Sequence, residues 1–142
     1  MDTLTVKMQT IDEKVMFSAT SRENPEVVID YFPPVGTGSG YTSLELLLAS
    51  FGSCVGTGLL TLLRFRMKKS ISGMSVAVTG TVREEHPKAI QHIVLKLKIK
   101  AKDLSEPEVR GALQVAENEI CPVWAMVKGN VTVETEIEID NT

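Results

Sequence analysis

Cysteine is scarce in this chain. Cys54 and Cys121 are the only two among 142 residues. Two thiols 67 positions apart in a reducing compartment are buried side chains, metal ligands or a redox pair, because stable disulfides are rare there. Neither sign of charge forms a long run: 15 basic and 18 acidic residues leave a net charge of −3. A nucleic-acid binder usually shows a basic patch or stripe. The one basic cluster, Arg64 to Lys69, closes an apolar segment, where cations complement a helix dipole. No nucleic-acid partner is expected. The N-terminal MDTLTVKMQTIDEK lacks the basic start and apolar run of a signal peptide, which makes the cytoplasm the expected location. The glycine-rich stretch Gly36 to Gly40 lacks the Gly-Lys-Ser/Thr ending of a phosphate loop and reads as a linker or lid.

What is present centres on residues 43–69. Between Leu46 and Leu63 there is no charge, and apolar side chains occur on every side of the projected helix. Such a helix either spans a membrane or forms the buried axis of a compact domain. The uncharged run is 18 residues, the lower limit for a span, and it carries Ser50, Gly52, Ser53, Gly56, Thr57, Gly58 and Thr61. Strands with apolar faces flank it on both sides. A buried helix and no membrane contact is therefore the expectation.

Alternating residues in 3–10 and 15–19, with the apolar run Val27 to Ile29, predict a three-stranded antiparallel meander within 1–34, one face buried. Pro33-Pro34 ends it, and Thr42 with Glu45 forms a capping box that starts the central helix. Beyond residue 73 the period changes to two, through 76–83 and 93–100, giving a hairpin with one buried face. Ser105 and Glu108 start a second helix running to about Ile120. Cys121-Pro122 interrupts it, a short helical turn follows, and 131–139 alternate once more. The reading is a single α+β domain over 1–142, its long helix laid across antiparallel sheets.

Cys54 has Gly52, Gly56 and Gly58 around it. Each glycine inside a helix costs roughly 0.5–1 kcal/mol relative to alanine, so either a neighbour packs very closely there or a small ligand must reach the sulfur. An inert core thiol is the alternative. Pro122 suits the first position of a helix, which makes Cys121 its N-cap, and a helix N-terminus lowers thiol pKa values. Cys54, Cys121, His86 and His92 supply zinc-ligand chemistry, but no pair has close ligand spacing, so neither a metal nor a cofactor is expected. Phe51, Trp124 and Met126, near the thiols in sequence, could wall an apolar site.

Glu45-Leu-Leu-Leu-Ala49 followed by Cys54, and then Cys121-Pro122, Ala125 and Lys128-Gly129-Asn130-Val131, resemble the OsmC/Ohr family of thiol peroxidases. Members of that family show a PEELL-AA…AC helix and a later CP…A…(R/K)GN motif. The resemblance spans nearly the whole chain and implies an OsmC-like fold in an intertwined homodimer. It implies that Cys54 attacks a small organic hydroperoxide and becomes a sulfenic acid. Cys121 then condenses with it to a disulfide, and an external dithiol (a lipoyl group in some members) restores both thiols. It also implies a catalytic glutamate and an arginine from the N-terminal sheet, which point to Glu45 and Arg22. The family's peroxidases place the glutamate ten residues before the first cysteine and a proline just ahead of it. Here Leu44 is ten back, Ser43 replaces the proline and Glu45 is nine back. Nine helical residues put Glu45 roughly 13 Å along the axis and about half a revolution from Cys54, so it would act from the other subunit or serve only as a cap.

Overall fold

The structure is a computed structural model and describes residues 2–142. It divides into two compact units, one ending at Leu47 and the other running from Leu48 to Thr142.

The first unit is an antiparallel meander in the order β1 (Lys7–Thr10), β2 (Phe17–Thr20), β3 (Val27–Ile29). The meander and its order match the sequence pattern; the buried face does not. Every residue of β1 is exposed, Leu4 and Val6 just ahead of it are open to solvent, and β2 buries Ser18 and Ala19 on opposite faces. Three strands of three or four residues are too small to enclose an apolar face.

The glycine-rich loop, read from sequence as a linker or lid, folds back on the end of β3. The buried Asp30 carboxylate accepts hydrogen bonds from the Thr37 and Ser39 amides (3.2 and 3.0 Å), from the Thr37 hydroxyl (2.8 Å) and from the Tyr31 amide. These bonds, the Ser39 amide foremost, hold the Asp30 pKa down at about 2. The loop lies so close that a Cβ on Gly36 would stand 2.3 Å from the Tyr31 carbonyl oxygen. Beyond it Tyr41 bridges back to Ile29.

The long helix α1 (Ser43–Thr61) opens on the expected capping box. The Glu45 carboxylate accepts from the Thr42 amide at 2.8 Å, and the Glu45 amide donates to the Thr42 hydroxyl at 3.2 Å. A wider π turn, Leu62–Arg66, finishes it short of the expected Lys69.

In the second unit β4 (Ile71–Val82) and β5 (Ile90–Ala101) form the expected antiparallel hairpin. The chain then forms α2 (Glu106–Val115), a π turn (Ala116–Ile120) and α3 (Pro122–Val127), and ends in β6 (Thr132–Asp140). The capping box at Ser105 and Glu108 is present as read. One pairing departs from the antiparallel expectation: β6 lies parallel to β5. The helical crossover between them is what a parallel pair requires, whereas a hairpin turn would reverse the strand. Parallel register sets Lys96 beside Glu136 and Lys98 beside Glu138 on the polar face, with ion pairs of 3.7 and 3.9 Å. The other face supplies Ile93, Leu95, Leu97 and Ile99 to the core, joined by Phe51, Val55 and Leu59 of α1, Leu63 of the π turn and Val109 of α2, all fully buried. Ser43–Arg66 is long and apolar enough to cross a membrane by length and composition, yet this stripe of it is enclosed by protein.

Candidate active site

Two local features bring the cysteines together. Gly52 lets α1 settle on β4: a Cβ there would lie 2.6 Å from a Val78 methyl, too close for any side chain. Gly58, one turn beyond Cys54, faces Ala116 and Ile120, so the π turn that leads into Cys121 runs beside the α1 turn that follows Cys54. Close packing, the first of the two explanations offered by the sequence, accounts for Gly52.

At the end of the π turn the Cys121 amide donates to the Ala116 carbonyl at 2.8 Å. The backbone at Cys121 then turns extended (φ −78°, ψ 106°) and α3 starts at Pro122. Cys121 is the N-cap, its Sγ accepting from the Trp124 amide at 3.4 Å. Pro122 fixes the helical φ and has no N–H to satisfy. On the far side of α3 the Lys128 ammonium reaches back to Asn118 Oδ1 (2.9 Å) and Glu117 Oε2 (3.0 Å), tying the two flanks of Cys121 together. Sequence reading missed this clasp, although Lys128 lies within the second motif.

The Cys121 thiol consequently donates to Cys54 Sγ at 2.9 Å. Cys54 is half-buried and Cys121 only 3% exposed, and both are free thiols. The N-cap does not lower the Cys121 pKa as its position suggested. Burial, followed by the hydrogen bond to Cys54, pushes it up to about 11, and the Trp124 amide offsets only part of that. Phe51 and Trp124, each three residues from one of the cysteines, pack edge to face, their ring centroids 5.4 Å apart. Met126 is 71% exposed and does not join them as a wall.

The remaining candidates have their own local settings. Glu45 is engaged by Thr42, and those hydrogen bonds hold its pKa below the usual carboxylate range. Arg22 sits exposed in the turn between β2 and β3 with a left-handed backbone (φ +57°), and its side chain makes no hydrogen bond or ion pair among the described residues. His92 contacts Thr132 and Glu134 on the polar face of the sheet, and His86 lies in the β4–β5 turn. Among the described residues no cluster of His, Cys, Asp and Glu could hold a metal.

Two reduced sulfurs in contact, one buried and protonated and the other reachable, suit two-electron thiol chemistry. An oxidised Cys54 would have its partner thiol already in contact.

The family model described as OsmC-like protein matches residues 36–136. Protein YhfA of Escherichia coli K12 is 24% identical over 96 residues, covering 68% of this chain and 71% of that protein. A hypothetical protein from Aquifex aeolicus superposes with a TM-score of 0.84 at 24% identity, over 99% of this chain and 98% of its own. An organic hydroperoxide resistance protein OsmC from Legionella pneumophila does so with a TM-score of 0.74 at 17% identity, over 96% and 97%.

Proposed function

The chain belongs to the OsmC-like protein family, and from that membership and its paired thiols we propose that it is a cytoplasmic cysteine-based peroxidase for small organic hydroperoxides. The observation that carries the reading is the 2.9 Å approach of the Cys121 thiol to Cys54 Sγ, with Cys54 the more accessible of the two. The Cys54 thiolate attacks the distal oxygen of ROOH. The O–O bond breaks, RO⁻ leaves and takes a proton to become the alcohol, and Cys54 is left as a sulfenic acid. The Cys121 sulfur then attacks the Cys54 sulfur and water departs, leaving a disulfide. An external dithiol reduces this to two thiols and is itself oxidised to its cyclic disulfide. The resistance to organic hydroperoxides named for the Legionella protein, which shares this fold, is consistent with that substrate class.

The reading includes a homodimer. Leu4, Val6, Met8, Tyr31, Phe32 and Tyr41 all stand exposed in the first unit, apolar side chains that a partner surface would take out of water. A second copy would cover them and would bring Glu45 and Arg22 to the partner's Cys54. A non-peroxidatic, redox-responsive member of the fold is the second reading, favoured by the commitment of Glu45 to its cap.

Titrating the reduced protein with stoichiometric cumene hydroperoxide separates the two. The peroxidase loses both thiols rapidly and its intact mass falls by about two hydrogens. Survival of both thiols in excess hydroperoxide ends the peroxidase reading.

A further inference from the structure

At the end of the hairpin where β4 begins and β5 finishes, a cavity of about 710 Å³ is lined by Arg64, Lys68, Lys69 and Lys102 against a single carboxylate, Asp103. That is within the range of small-molecule sites. It is also an uneven placement of charge, since the chain as a whole is acidic at −3. Of the four cations only Lys69 is neutralised. It is largely buried and pairs with Glu108 at 2.9 Å and Asp103 at 3.6 Å, and the Glu108 hydrogen bond raises its pKa. Arg64, Lys68 and Lys102 have no acidic partner within ion-pair distance among the described residues.

Compensation of a helix C-terminus explains cations at positions 64–69 but not Lys102, which comes from another element. The pairing of Ile71 with Ala101 carries Lys102 to the rim opposite Ser70. Two further details point to a built site. Arg64 Nη2 donates to the Ile71 carbonyl at 2.9 Å, which fixes the guanidinium and leaves its other N–H groups free. Lys68 follows the helical turn with φ +57°, in the left-handed region where a helix usually ends on glycine. The chain accepts that backbone and keeps a cationic side chain at the rim.

We propose that this cavity binds the phosphoryl group of a small phosphorylated metabolite, gripped by Arg64, Lys68 and Lys102 with the Ser70 hydroxyl beside them. A fixed guanidinium matches the oxygens of a phosphoryl group two at a time, and two ammonium groups supply the rest of the charge for a dianion. Ser72 is not a donor to the ligand, because its hydroxyl already donates to the Lys100 carbonyl. The site is made of residues other than the thiols, so it stands or falls independently of the peroxidase reading.

The test is calorimetric titration of the full chain at low ionic strength with inorganic phosphate, AMP and adenosine. AMP should bind saturably, and adenosine should not. A Lys68→Ala/Lys102→Ala double variant, both residues being exposed, should weaken AMP by about tenfold or more, the loss expected for charge-assisted hydrogen bonds. Lys88→Ala, at the opposite end of the hairpin, should leave it within about twofold. No saturation by AMP at millimolar concentration overturns the proposal. So does equal weakening by Lys88→Ala, which would mean diffuse charge attraction, and so does binding of inorganic phosphate with AMP excluded, which would limit the occupant to the free ion.

Discussion

The Cys121 thiol donates a hydrogen bond to the Cys54 sulfur across 2.9 Å, and Cys121 is the more deeply buried of the two. Burial is the main reason its pKa rises from 9.0 to about 11, so the native state holds this proton more tightly than the unfolded chain does. Between those two values the unfolded state has released the proton while the folded state keeps it. Stability then falls as pH rises through that window and is unaffected below it. Urea unfolding of the reduced protein should show a midpoint that drops between pH 9 and pH 11. The diagnostic is the difference from Cys121→Ser, which should lose less over the same interval. Equal losses would mean that Cys121 is not held protonated by the fold.

The same asymmetry predicts which sulfur of an oxidised pair an added thiol would attack. Once the disulfide has formed, the half-buried Cys54 sulfur is the reachable one, and Cys121 remains enclosed. Oxidising the protein with diamide, exposing it briefly to a monothiol, quenching with an alkylating agent and mapping peptides should place the monothiol adduct on Cys54. The alkylating label should be on Cys121. Diamide supplies the oxidation here, so the outcome does not depend on peroxidase activity. An adduct mainly on Cys121 would reverse the assignment.

Much of this arrangement can be read from local sequence rules, and the failures share a cause. Both capping boxes, Thr42 with Glu45 and Ser105 with Glu108, depend on residues three apart and appear as read. So does Cys121 as an N-cap before Pro122. The Cys121 pKa is different: the N-cap is local and pushes down, but burial by distant segments pushes up and wins. Asp30 carries no motif, and only the folded-back loop reveals that it anchors Thr37 and Ser39. The parallel placement of β6 follows from the α2–α3 crossover, which strand alternation alone does not encode. The exposed strands of the first unit show a real period of two, but the pattern does not say whether its cover lies in the same chain.

The glycines around Cys54 divide by what their missing side chains would meet. A methyl at Gly52 would collide with Val78 at 2.6 Å, whereas one at Gly58 would sit at ordinary contact distance from Ala116 and Ile120, 3.6 and 3.7 Å. Gly52→Ala should therefore destabilise by about 1–3 kcal/mol through overpacking. Gly58→Ala should stabilise by roughly 0.5–1 kcal/mol, since alanine is the better helix former and the space exists. Thermal unfolding of the two variants beside the parent checks both signs. A stabilising Gly52→Ala would show that α1 can move away from β4 without penalty.

Glu45 lies nine residues before Cys54. On a straight helix that is about half a revolution away, so a catalytic role for Glu45 would call for the carboxylate to come from the other chain. If the site is completed across a dimer, two inactive variants can rescue each other. Cys54→Ser lacks the nucleophile but keeps Glu45, and Glu45→Gln keeps the nucleophile and a side chain that still fits a capping box. Unfolding, mixing and refolding the two in equal amounts gives about half mixed dimers, each with one intact site. Hydroperoxide turnover should then recover to about a quarter of the parent level. Two results lead elsewhere. Full activity of Glu45→Gln alone would make Glu45 only the cap of α1, and no rescue from two inactive parents would place glutamate and thiol in the same chain.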